Sequence, residues 1–517
     1  MKQKTRIISA LMYAMVILAC LGVLHLLKVI TESGTPSEPA AVESTARTET
    51  EEHPAEERET EGYDAETDPK EEESSIPVER DQGYYGWKQE LPEIFPPVPE
   101  EIPYEPPSLI LATDLHYQSA KADDGGAAFQ LFVERGDGKV VEYLPELLEA
   151  FADQVIEEKP SALVLSGDIT MNGEKINHEE LADRLKRIQD AGIQVLIVPG
   201  NHDINNPHAA VYYGEEKAET DSVTPEEFYN IYHMYGYDQA ISRDEASLSY
   251  VYQLDERNRL LMLDTCQYEP RNMVEGQLKM ETLQWADEQL KKAKEEGINV
   301  LPIGHHNLLA QSRMYTTQCA MDNNGDVIEL FQNYELPLYL SGHLHVQRIR
   351  RHKAEPGAPD EAYGIMEIVT DALSIPPCQY ALLQWKRDGS MEYSTKAVDV
   401  SAWAARTGSQ SPELLDFEGW SERYIQKLII DQIRGVVKNL GNDVEHSMAE
   451  VYAAVYIDYY AGRRIDARGV RSSKGYLWWQ RNMPDSYLLK ELDAMIDDSD
   501  RDNNYMLLPE ANAMAEK

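Results

Sequence analysis

The chain has only four cysteines, Cys20, Cys266, Cys319 and Cys378, with no CxxC pair or paired spacing among them. A zinc knuckle or a disulfide framework is therefore without support. Cys20 falls in an apolar N-terminal run, and the three that remain are expected to be buried free thiols. Positive charge is scarce as well: 48 Lys and Arg stand against 91 Asp and Glu, a formal net charge of -43. Phosphate backbones are held by clustered cations, so a nucleic-acid duplex is not an expected partner. An anionic small molecule would need local cations or bound metal ions, which can reverse the field inside one cleft. There is no internal repeat, and long apolar runs are absent with one exception.

That exception is residues 7–27, 21 uncharged and mostly apolar residues, enough to cross a hydrocarbon core as a helix. Lys2, Lys4 and Arg6 precede it and acidic sequence follows, which places the N-terminus inside and the bulk of the chain outside. Residues 1–30 are expected to be a membrane anchor, with a cleaved secretory signal as the competing reading; Ile17-Leu18-Ala19-Cys20 matches a lipoprotein signal only loosely. Residues 31–107 carry 23 acidic and 5 basic residues and 12 of the chain's 27 prolines. Like charge and proline favour an extended, solvated spacer. Tyr84, Tyr85, Trp87 and Phe95 in its second half are expected to dock on the folded domain.

From Ser108 the pattern alternates between strand and helix. Short apolar runs at 109–112, 162–165, 195–198, 300–303 and 336–340 read as strands, with amphipathic helical stretches such as 143–158, 178–191 and 278–296 between them. Alternation of this kind predicts a sheet covered by helices. A hairpin at 249–254 and 260–264 and late strands at 365–369, 381–385 and 391–400 favour a second mixed sheet packed on the first. Residues 108–400 thus form one expected domain. Beyond it, residues 401–517 show helical periodicity rich in Tyr and Trp, and a small helical C-terminal region is expected.

Each of the five apolar runs ends in polar residues able to bind metal. In order these are Asp114-Leu115-His116, Gly167-Asp168, Gly200-Asn201-His202-Asp203, Gly304-His305-His306 and Gly342-His343-Leu344-His345. In an extended segment residues i and i+2 face the same way, so Asp114 with His116, and His343 with His345, can point into one crevice. The middle stretch, 195–203, shows the abruptness best: VLIVP is buried-strand sequence, and it stops at GNHD. A lone buried Asp or His is usually a hydrogen-bonded structural residue, but seven candidates at five strand ends are not lone.

These five blocks resemble, in order, the D-x-H, G-D, G-N-H-D/E, lone His and G-H-x-H pattern of the calcineurin-like metallophosphoesterases. The resemblance covers about residues 108–400 and implies a four-layer α/β/β/α sandwich of two mixed sheets flanked by helices, around a two-metal centre. It implies that Asp114, His116 and His345 hold one ion, that Asn201, His305 and His343 hold the other, and that Asp168 bridges them. His306 competes with His305, because Asn307 stands where the family commonly has a proline. Carboxylate, imidazole and amide donors without thiolates suit manganese, iron or zinc. Two such ions about 3.5 to 4 Å apart clamp a phosphoryl group and lower the pKa of a bridging water, so that hydroxide attacks in line. His202 is then the general acid and Asp203 its orienting carboxylate. His178 and His208 are further candidates for substrate contact.

Departures narrow the branch. Asp168 is followed by Ile169-Thr170-Met171-Asn172-Gly173, without the Asp-Arg-Gly run of the protein phosphatases, and Met171 occupies the place of the metal-binding Tyr of purple acid phosphatases. What remains resembles the bacterial branch of class III phosphodiesterases; with the anchor placing the site outside, extracellular nucleotides, glycerophosphodiesters or cell-envelope phosphodiesters are the expected substrates. A phosphomonoesterase or nucleotidase, and a surface binding protein with a vestigial metal site, are the alternatives.

Overall fold

The computed structural model describes residues 104–312, 319–352 and 364–508. The apolar run 7–27 and the spacer aromatics Tyr84, Tyr85, Trp87 and Phe95 lie outside the described residues. Among the described residues no helix is long and apolar enough to cross a membrane. The described residues form fifteen strands: β1 Ser108–Ala112, β2 Ala162–Ser166, β3 Gln194–Val198, β4 Ala210–Tyr213, β5 Glu216–Glu219, β6 Ser242–Arg243, β7 Tyr250–Gln253, β8 Asn258–Met262, β9 Asn299–Ile303, β10 Leu338–Ser341, β11 Arg348–Arg351, β12 Met366–Val369, β13 Gln379–Trp385, β14 Met391–Ala397 and β15 Tyr505–Leu508.

Two large mixed sheets result. One has the order β15-β14-β13-β1-β2-β3 and the other β11-β12-β10-β9-β8-β7-β6, while β4 and β5 form a separate hairpin. The five motif-bearing strands divide between them. β1, β2 and β3 are parallel neighbours in the first sheet, and β9 and β10 are parallel neighbours in the second. The late strands divide too, because β12 joins the second sheet whereas β13 and β14 extend the first.

Packing follows the side-chain alternation of each strand. On β8, Leu260 and Met262 enter the core that β1, β2 and β3 share with the second sheet. Leu261 and the following Leu263 face the opposite way, onto Leu283 and Leu290 of the helix Met280–Glu296 and Phe331 of the helix Asn324–Asn333. β2 is buried along its whole length because helices Leu144–Glu158 and Lys175–Asp190 cover the outer face of the first sheet with Phe151, Val155, Leu181 and Leu185. A parallel strand covered on both faces reads as a continuous apolar run, the pattern its sequence ALVLS shows.

The folded region starts slightly before Ser108. Tyr104 donates its hydroxyl hydrogen to Asp255 Oδ2 at 3.0 Å and carries the Arg257 guanidinium 3.8 Å above its ring. The C-terminal helices Phe417–Val436, Asn442–Tyr460, Lys474–Asn482 and Tyr487–Asp498 have a core of their own. On the first of these Ile425, Ile429 and Ile433 repeat every four residues along the buried stripe, each contributing about 1.5–3 kcal/mol by burial. Helical periodicity does not describe the whole C-terminal region. After the last helix the chain returns as β15 and pairs antiparallel with β14, so this region completes the first sheet as well as covering it.

Candidate metal centre

The carboxyl ends of β1, β2, β3, β9 and β10 meet at one place. Pairing of β1 with β2 continues past the strands, with Asp114 N–H donating to the Gly167 carbonyl at 3.0 Å and His116 N–H to that of Asp168 at 2.9 Å. Links between the motifs follow: His343 N–H donates to Asp114 Oδ2 at 3.0 Å and His202 N–H to Asp168 Oδ1 at 2.7 Å. Such approaches leave no room for side chains at the preceding glycines. A Cβ on Gly200 would stand 2.2 Å from Asp168 Oδ1, and one on Gly342 would stand 2.0 Å from Thr113 Oγ1.

The backbone is strained where the candidates lie. Positive φ occurs at Asp114 (53°), His116 (44°), Asp168 (47°), His343 (73°) and His345 (53°), half of the ten non-glycine residues with that conformation among the described residues. Each costs about 1–3 kcal/mol and persists only where the surroundings fix it, a pattern that collects at functional sites.

The side chains converge in two groups that share Asp168. In the first, His116 Nε2 and His345 Nε2 are 3.1 Å apart. Asp114 Oδ1 lies 3.2 Å from His345 Nε2 and 3.8 Å from His116 Nε2, and Asp168 Oδ2 lies 3.9 Å from His116 Nε2. Asp114 Oδ1 is enclosed and has no hydrogen-bond donor. An enclosed carboxylate oxygen without a donor, faced by imidazole nitrogens, fits a cation. In the second group His305 Nε2 lies 3.3 Å from Asp168 Oδ2 and 3.2 Å from Asn201 Oδ1, with the His343 ring centroid 5.2 Å from that of His305.

His305 and His306 are both buried, and their partners separate them. His305 Nδ1–H donates to the Ser166 carbonyl at 2.9 Å, which leaves Nε2 facing the centre. Both nitrogens of His306 are engaged, Nδ1 with Thr265 Oγ1 at 2.8 Å and Nε2 with the Val274 carbonyl at 3.0 Å. Although the ligand atoms of His305, His306 and His343 lie within 4.8 Å of one another, His306 keeps no lone pair for an ion. Asn307, where the family pattern has proline, donates to Ser341 Oγ at 2.9 Å and to the Gly342 carbonyl at 3.0 Å, tying the fourth motif to the fifth.

The charged groups of the centre pair with one another, and His305 must give up a proton to take an ion. Burial, reinforced by the Lys139 ammonium, holds His116 well below the ordinary imidazole value, so its ring is neutral. Burial would also lower His305, but the carboxylates of Asp168 and Asp114 outweigh it and lift it to about 9. Against the raising effect of burial, His305 and His202 hold Asp168 well below the carboxylate range.

The His202 side chain is 27% exposed, and its Nε2 lies 3.9 Å from Asp168 Oδ2. Its expected support is not where the sequence puts it. The Asp203 carboxylate accepts from the backbone N–H groups of Gly200 (2.8 Å), Thr170 (2.9 Å) and Ile169 (3.2 Å) and from Thr170 Oγ1. Asp203 is thus a brace between two motif loops. His202 Nδ1 instead faces the Met171 carbonyl at 2.8 Å and Asn172 Oδ1 at 3.1 Å. In the sequence these two residues serve only to exclude relatives, and a backbone carbonyl leaves no sequence signal. His178 is fully buried, bonded to Tyr232, Thr170 and the Asp203 carbonyl, and so cannot meet a substrate. His208 is exposed.

Fold and site together define a metal-binding α/β protein whose centre is built from the ends of two sheets. The comparison with family models is specific: residues 108–347 match calcineurin-like phosphoesterase, and the chain carries a domain of that type. Residues 399–502 match the C-terminal domain of cyclic nucleotide phosphodiesterase. Among solved structures, a dimetal phosphatase from Danio rerio is similar at 16% identity and a TM-score of 0.41, over 57% of this chain and 97% of that one. Purple acid phosphatase PPD1 from yellow lupin (Lupinus luteus) seeds is similar at 13% and 0.37, over 57% and 52% of the two chains. PhoD follows at 11% and 0.33, over 56% and 66%. No curated protein matches the chain in sequence.

Proposed function

We propose that this protein hydrolyses phosphoesters at a two-metal centre and takes phosphodiesters in preference to monoesters. The observation that carries the reading is Asp114 Oδ1, enclosed without a donor beside the facing Nε2 atoms of His116 and His345. Asp114, His116 and His345 would hold one ion, Asn201, His305 and His343 the other, and Asp168 both. The donor set suits manganese, iron or zinc. When bound, such ions supply Lewis acidity toward phosphoryl oxygens and lower the pKa of a water.

The chain's own residues do the rest. Asn201 contributes an amide oxygen and so adds no negative charge against an anionic substrate. With Nδ1–H given to the Met171 carbonyl, the His202 ring is held with Nε2 toward the cleft, and protonated Nε2 can pass its proton to the leaving oxygen. The match of residues 399–502 to a phosphodiesterase C-terminal domain supports diesters and the bacterial class III-like branch. With residues 1–30 as anchor and 31–107 as spacer, the catalytic domain 108–400 and the region 401–517 would stand outside the cell, where nucleotides, glycerophosphodiesters or envelope phosphodiesters are the substrates in reach.

With Mn²⁺ added, the chain is expected to turn over bis(p-nitrophenyl) phosphate faster than p-nitrophenyl phosphate. Faster monoester turnover would replace the reading by a phosphomonoesterase. Metal binding without hydrolysis of either compound would make the protein a surface binding module.

A further inference from the structure

The fifth motif lies in a segment without regular structure. Between β10 and β11 residues 342–347 form neither helix nor strand, yet His343 and His345 both hold positive φ, at 73° and 53°. Such a conformation persists only where neighbours impose it. At one end of the segment, β10 and the bond from His343 N–H to Asp114 Oδ2 supply that restraint. At the other end stands Gln347, fully buried and just past His345.

Gln347 is held by the C-terminal region. Its backbone N–H donates to the Tyr460 carbonyl at 2.8 Å, and its side-chain Nε2 donates to the Asn503 carbonyl at 2.8 Å and to the Tyr393 hydroxyl at 3.0 Å. Tyr460 ends the helix Asn442–Tyr460, and Asn503 follows the helix Tyr487–Asp498. Gly462 comes so close that a Cβ there would stand 2.5 Å from Gln347 Cγ and 2.8 Å from the Gln347 carbonyl oxygen. The apolar residues of the segment go the same way: Val346 belongs to the core of the C-terminal helices, and Leu344, between the two histidines, packs against it. The contacts continue into β11, where Ile349 N–H donates to Asn503 Oδ1 at 3.1 Å. The fifth motif is thus seated on a region that supplies none of the candidate ligands.

We propose that Gln347 is a positioning residue through which the C-terminal region sets the metal affinity of the centre. With Leu344 and Val346 seated on that region's core, the Gln347 amide fixes the backbone that delivers His345 to one ion and His343 to the other. Gln347 itself touches neither ion nor substrate. The inference rests on the two-metal reading above. Ligands held in place before an ion arrives lose little freedom on binding it, so loosening the segment weakens both ions.

The test titrates Mn²⁺ into the metal-free full chain in a calorimeter and follows unfolding of the same samples. Q347M keeps the side-chain volume and removes the amide's hydrogen bonds, and it is expected to weaken both ions by about tenfold. G462A alters only the C-terminal region, pushes on Gln347 and is expected to act in the same direction, which keeps the link testable should Q347M not fold. I433A truncates the C-terminal core on a helix that gives Gln347 no hydrogen bond. It should lower stability at least as much as Q347M while Mn²⁺ affinity stays within about twofold. Unchanged Mn²⁺ affinity in Q347M and G462A would overturn the proposal. So would an equal loss in I433A, which would make the effect one of stability alone. A chain whose Mn²⁺ binding depends on Gln347 but which hydrolyses neither phosphate ester would overturn the activity and leave this inference standing.

Discussion

At Asp168 one carboxylate meets His305, His116 and His202, with Oδ2 at 3.3, 3.9 and 3.9 Å from the three Nε2 atoms, while Oδ1 accepts from the His202 backbone. A residue shared by both halves of the centre cannot lose its charge without loss to both. Asp168→Asn is therefore expected to remove metal and activity together, and elemental analysis alongside the bis(p-nitrophenyl) phosphate assay checks it. His202 is not one of the proposed ligands and holds its ring through Met171, so His202→Ala should keep the metal. Its turnover should fall by about 10²–10⁴, and less for esters with good leaving groups, which need little protonation. Metal loss in that variant would show the roles to be misassigned. Strand ends make the ligand candidates legible in the sequence, because Gly followed by Asp, Asn or His interrupts a buried run. The partner of His202 was not legible, since the Met171 carbonyl is backbone and only the fold brings it near.

At the scale of elements, Glu367 shows how the second sheet supports the centre. It lies on β12 and is fully buried. Its carboxylate accepts from Leu308 N–H (2.9 Å), Leu309 N–H (2.7 Å), Gln311 Nε2 (2.6 Å) and Ser341 Oγ (2.6 Å), joining the segment after His305 to β10 just before His343. Burial outweighs these donors and pushes the carboxyl up to about 7, above its ordinary 4.5. A folded-state value above the unfolded one means stability fully present below about pH 4.5 and lost as pH rises through about 7. Glu367→Gln has no such proton, so its unfolding free energy should change less steeply between about pH 4.5 and 7. The difference in slope should approach one proton, about 1.4 kcal/mol per pH unit. Equal slopes from denaturant unfolding at several pH values would refute the assignment. β11 illustrates the limit of pattern reading at this scale. Its sequence RIRR looks like surface, yet Arg348 is 2% exposed, over the Tyr459 ring at 4.5 Å and donating to the Asp498 carbonyl at 2.6 Å. Its partners lie more than a hundred residues away.

At the scale of the whole molecule, the acidic charge and the apolar run 7–27 make separate demands. If that run anchors the chain, the full-length protein should sediment with membranes and be released by detergent but not by high salt, while residues 104–517 stay in solution and keep activity. Release by salt alone would refute the anchor. The order of the five motifs, the strands that bear them and the helices between them were determined by sequence, because hydrophobic periodicity and glycine placement are local properties of the chain. Tertiary structure decided how those strands divide between two sheets, which of His305 and His306 faces the centre, and that Asp203 braces loops instead of His202. It also decided that the C-terminal region returns as β15 to pair with β14. Each of these depends on contacts between residues far apart in the chain, and periodicity carries no record of such contacts.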